Sequence, residues 1–133
     1  MRTLVVMILF LASSAMAQAP TYQPVGTVLQ LMKAMVIPSS DVIFKISADA
    51  PKSEKDWAVI QNNALILAES GNLLIMQGRA KDNGEWVKDS KALIDAGAAA
   101  FKAANAKDVD KLNDVSDDIL SSCENCHKKY KPE

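Results

Sequence analysis

The chain has 133 residues, 15 basic and 16 acidic side chains, and 49% hydrophobic residues, which suits a single domain. A charge this close to balance excludes a general attraction to nucleic acid or anionic lipid. Only two Cys and one His occur, and all three fall within five residues, so a zinc site built from paired Cys and His ligands is excluded as well.

Residues 1–17 read as a secretory signal peptide. Arg2 gives a positive start, Leu4 to Ala12 is an apolar run too short to span a bilayer, and Ala15-Met16-Ala17 is a small-x-small cleavage pattern. The expected mature domain is 18–133, exported to the periplasm. Residues 1–17 contain one basic and no acidic residue, leaving 14 basic against 16 acidic side chains. No later run is apolar and long enough to suggest a membrane span.

Four helical stretches follow. The first is expected from about Pro24, with Val25, Val28, Leu29, Met32, Met35 and Val36 at helical spacing, then a break or kink at Pro38. Ser39, Ser40 or Asp41 can cap a continuation through Val42, Ile43 and Ile46. The second opens with Ser53 and Asp56 as a capping box and carries the stripe Trp57, Ile60, Ala64, Leu67, Gly71 and Leu74, with Gly78 as its C-terminal signal. After the turn Asp82-Asn83-Gly84, the third runs from about Glu85 to Ala104, with Trp86, Leu93, Ile94, Gly97, Ala100 and Phe101 inward. The fourth runs from about Asp108 to Lys131, with Leu112, Val115, Ile119, Cys123, Cys126 and Tyr130 on one face. Its aspartates come first and its lysines last, in the order that the helix dipole favours. Short connections between four helices predict an all-α, up-down-up-down four-helix bundle.

Cys123-Glu124-Asn125-Cys126-His127 is a C-x-x-C-H sequence, the attachment signature of c-type haem. At spacings of three and four on a helix, both thiols and the imidazole point one way. Each thiol can bond one haem vinyl group, and His127 can then ligate the iron. A thioredoxin-like C-x-x-C belongs in a βαβ setting, and a disulfide across i, i+3 of a helix is strained. The expected cofactor is one haem c, covalent through Cys123 and Cys126, at the C-terminal end of the last helix.

With His127 committed, the sixth iron position is either empty or taken by a methionine: Met32, Met35 or Met76. If the first helix is antiparallel to the fourth, His127 lies about 6 Å from its helix end, Met32 about 12 Å from the start at Pro24, and Met35 about 16 Å. Height therefore ranks Met32 above Met35, and Met76 is off the apolar stripe of its helix. Arg79, the only arginine after residue 17, follows the second helix at the expected haem end and suits a haem propionate. Trp57, Trp86 and Tyr130 read as core residues, and Glu69 and Asn72 as satisfying each other or water.

The C-terminal C-x-x-C-H with Tyr130, on the last helix of a bundle, resembles the class II c-type cytochromes, that is, cytochrome c prime and its low-spin relatives. The likeness covers most of the chain after residue 17 in helix order and length. Leu31-Met32-Lys33 resembles the low-spin branch, in which a Met at this place ligates the iron, so the resemblance implies His127 and Met32 as the axial pair. High-spin members keep an apolar, non-ligating residue near this point, and Pro38 departs from their usually uninterrupted first helix. Such relatives often dimerise, which makes a homodimer one expected state.

The function these readings predict is single-electron transfer by an exported monohaem cytochrome that is not an enzyme. Redox partner proteins would be met at Lys128, Lys129 and Lys131 by weak, salt-sensitive docking. The alternative is a five-coordinate haem protein binding NO or CO. A haem peroxidase is disfavoured, because no histidine is left for distal acid–base work.

Overall fold

The computed structural model describes residues 21–131, and the expected signal peptide, 1–17, lies outside them. Among the described residues there are four long helical stretches and no strand, arranged as a four-helix bundle. Helix α1, residues 28–44, runs unbroken through Val28–Leu31, a π-helical segment Met32–Val36 and Ile37–Phe44, and ends in the 3₁₀ turn Lys45–Ser47. Helices α2 (Glu54–Leu74), α3 (Glu85–Ala106) and α4 (Val109–Tyr130) complete the bundle. None of these helices is long and apolar enough to cross a membrane.

The start of α1 is later than the position of Pro24 suggests. Thr27 caps it: its Oγ1 accepts from Gln30 N at 3.2 Å while Gln30 Oε1 accepts from Thr27 N at 2.9 Å. This capping box satisfies two backbone donors that a helix start leaves open. Pro24 instead packs near Gly78, whose Cβ, if it had one, would lie 3.1 Å from Pro24 Cγ. Pro38 does not break α1. A proline ring clashes with the carbonyl four residues back and offers no N–H. Here the turn before it is widened, and Ile37 N donates to Met32 O in an i to i+5 bond. That widened turn begins at Met32, and π-turns of this kind cluster at functional sites.

Ser53 and Asp56 form the expected capping box at α2, with Asp56 N donating to Ser53 Oγ at 3.2 Å and Ser53 N to Asp56 Oδ2 at 2.9 Å. Gly78 is not the cap of α2, which ends four residues earlier; its φ of +88° serves the turn after the helix. Asp82 Oδ1 gathers the amides of Gly84 and Trp86 and so starts α3. Between α3 and α4 the chain turns at Lys107, left-handed at φ 56°, with Lys107 N bonded to Ala104 O and Asp108 N to Ala103 O. This is a Schellman motif with Lys at the place usually held by Gly.

The core collects Ile43, Leu67, Leu74, Trp86, Leu112, Val115 and Ile119, all 2% exposed or less. Each such aliphatic side chain contributes roughly 1.5–3 kcal/mol through burial. Every residue of the stripe read for α2 is buried. Helices α2 and α3 approach closely where glycines lie: a Cβ on Gly97 would sit 2.6 Å from Ala68 N, and one on Gly71 would sit 2.5 Å from Ile94 Cγ1. Contacts climb α2 as they descend α3, from Gln61 on Ala104, through Ala68 on Gly97, to Leu74 on Trp86. Helix α1 packs mainly on α2 and also touches α4.

Candidate functional site

Two cavities meet where α1 and α4 lie near the α2–α3 loop. The larger, about 670 Å³, is walled by Val25, Val28, Leu29 and Met32 on one side and by Trp86, Cys126, His127 and Tyr130 on the other. Its volume and largely apolar wall are those of a small-molecule or cofactor site. The smaller, about 80 Å³, draws on all four helices and is lined by Cys123, Cys126 and His127 together with Met32, Asp89 and Ser90. Met32, Cys126 and His127 line both spaces.

Helix α4 brings the motif here because its inward face continues Leu112, Val115 and Ile119 into Cys123 and Cys126. Both cysteines are free thiols and half-buried. Burial pushes the Cys123 thiol above its ordinary value, although a hydrogen bond with Ser122 opposes this. Cys126 is pushed up to about 11, first by burial and then by the negative charge of Asp89 and by Cys123. Both sulfurs therefore face the cavities as neutral thiols at neutral pH. His127, one helical turn on from Cys123, is more exposed than either.

Of the three candidate methionines, Met32 alone reaches the cavities. Met35 is half-buried and packs against the core. Met76 is half-buried, and its Sδ accepts from Arg79 Nη1 at 3.4 Å.

Arg79 lines the larger cavity but is 8% exposed and tied to the backbone. Its Nε donates to Gly26 O at 2.9 Å and its Nη1 to Leu73 O at 3.2 Å. It thus clamps the segment before α1 onto the end of α2, and any role toward an anion falls to the donors left over.

Tyr130 closes the cavity wall from the last turn of α4. Its ring meets Trp86 edge-on at 5.0 Å, its hydroxyl donates to Asp82 Oδ2, and Lys129 Nζ lies 5.1 Å from its ring centre. The Tyr130 hydroxyl, with the Gly84 and Trp86 amides, holds the Asp82 carboxyl below the usual carboxylate range. Burial and Asp82 push Tyr130 up. The stability from Asp82 is therefore present above its unfolded value and is lost as pH falls through the lowered folded value. The contribution of Tyr130 is present below its unfolded value and is lost as pH rises through the raised folded one. Asp82→Asn is expected to lower Tm near neutral pH and to converge on the wild type at low pH, which flattens the acid limb of a Tm-against-pH profile.

Sequence reasoning missed Asp89 and Ser90. The signal was there: Trp86 and Leu93 are core residues of α3, and Asp89 sits three residues after one and four before the other, inside the apolar stripe. No family model, no curated protein and no solved structure matches the chain.

Proposed function

We propose that the chain is an exported c-type cytochrome that carries single electrons through one haem, bonded to Cys123 and Cys126 and ligated by His127 and Met32. The observation that carries this reading is the C-x-x-C-H motif lying on the wall of a largely apolar cavity, with Met32 reaching the same space from another helix. The residues present suit the group: two neutral thiols for thioether links, an imidazole and a thioether for iron, and apolar walls for a porphyrin face. The packing order of the helices suits an up-down-up-down bundle with the haem at the C-terminal end of α4. Haem held there supplies one-electron exchange at its iron.

Cys123 and Cys126 anchor the group covalently, so a small domain retains it. His127 and Met32, from α4 and α1, would hold the iron of such a group, and a ligand pair kept in both redox states would lower the reorganisation opposing transfer. Val25, Leu29 and Ile37, exposed at the cavity wall, gain apolar cover when it is filled. Arg79 lies beside the same wall, where a remaining guanidinium donor can meet a propionate. Lys128, Lys129 and Lys131, with Lys81, give this end a positive rim for an acidic redox partner in the periplasm.

The competing reading, a five-coordinate haem binding NO or CO, needs Met32 to stay off the iron. A visible spectrum of the reduced protein separates the two. A sharp low-spin spectrum indifferent to CO is expected. A broad high-spin spectrum that shifts with CO would contradict electron transfer through a His/Met pair.

A further inference from the structure

Helix α3 turns two polar side chains into the smaller cavity. Asp89 is 5% exposed and Ser90 2%. Asp89 Oδ2 and Ser90 Oγ are fully buried with no hydrogen-bond partner. No salt bridge reaches Asp89 among the described residues, and its neighbour Lys88 pairs with Glu85 instead. Leaving a buried polar atom without a partner is destabilising, and a charged one more so. An apolar residue would pack this stripe at no such cost. Packing therefore does not explain Asp89, whereas its surroundings suggest what it serves: the space it faces is shared with Cys123, Cys126, His127 and Met32.

We propose that Asp89 is a positioning charge for the redox centre, a fixed buried negative group that favours oxidised over reduced iron and so lowers the reduction potential. This rests on the proposed haem. Oxidised haem carries one more positive charge than reduced haem, and a carboxylate away from water acts on that difference with little screening. The site lies on the thiol-bearing side, because Asp89 lines the smaller cavity together with Cys123 and Cys126. Propionates of the same sign are better placed with Arg79, which lines the other cavity. The smaller space has room for a water that bridges Asp89 Oδ2 and Ser90 Oγ, satisfying both while leaving the charge in place.

The test is the midpoint potential of the haem-loaded protein with its visible spectrum. Asp89→Asn keeps the shape and removes the charge, and Asp89→Ala is a second neutral variant. Both are expected to raise the potential with low-spin ligation intact, while Asp89→Glu stays close to wild type. Equal potentials in wild type and the neutral variants, with unchanged spectra, overturn the inference alone. A wild type that takes up no haem overturns both the inference and the proposed function.

Discussion

Met32→Ala is expected to convert the haem-loaded protein from low spin to high spin and to open the iron to CO, which the wild type is expected to ignore. Met32 is the methionine that lines both cavities beside His127, whereas Met35 packs on the core and Met76 is bound to Arg79. Met35→Ala and Met76→Ala should therefore leave the spectrum as it was. The fold should survive the change. Full burial makes Met→Ala cost ~2–5 kcal/mol, and Met32 is only half-buried, so about 1–2 kcal/mol is expected in urea. If low-spin ligation survives in Met32→Ala, a different side chain holds the iron.

Gly97→Ala should be the most damaging single methyl in the bundle. Elsewhere in a helix this change gains about 1 kcal/mol. Here the new Cβ would lie 2.6 Å from Ala68 N, 2.8 Å from Ala68 Cα and 3.0 Å from Ala68 Cβ, so two helix backbones must separate. Overpacking of that kind costs about 1–3 kcal/mol or more, and a net loss of ~2 kcal/mol in urea denaturation is expected. Gly71→Ala should cost less. Its closest contact, at 2.5 Å, is the Ile94 side chain, which can yield more readily, although Ser90 O also lies 3.0 Å away. A neutral or stabilising Gly97→Ala would mean that α2 and α3 are not packed this closely.

What the sequence made legible was what local chemistry decides. The Ser53–Asp56 box starts α2, the turn Asp82-Asn83-Gly84 precedes α3, and the stripe of α2 is buried as its spacing implied, whereas that of α4 is buried at Leu112, Val115 and Ile119 and half-buried at Cys123, Cys126 and Tyr130. The differences have local as well as tertiary causes. Pro38 read as a break or a kink because a regular α-turn cannot hold it, and the π-turn from Met32 accommodates it within one helix. Thr27 and Gln30 were a readable cap, yet Pro24 offered a competing start signal. Arg79 looked free for an anion because sequence does not reveal that Gly26 O, 53 residues away, will claim its Nε. Asp89 is easily passed over because a lone carboxylate in a helix ordinarily faces water, although its place between Trp86 and Leu93 sets it on the inward stripe.

A covalent bond between this chain and a haem is tested most directly by the mass of the denatured protein. After maturation in a host with haem-attachment machinery, the chain is predicted to carry one haem's mass through denaturation, with no sulfhydryl left to titrate at Cys123 or Cys126. A colourless product of bare polypeptide mass, with both sulfhydryls reacting, would contradict the account.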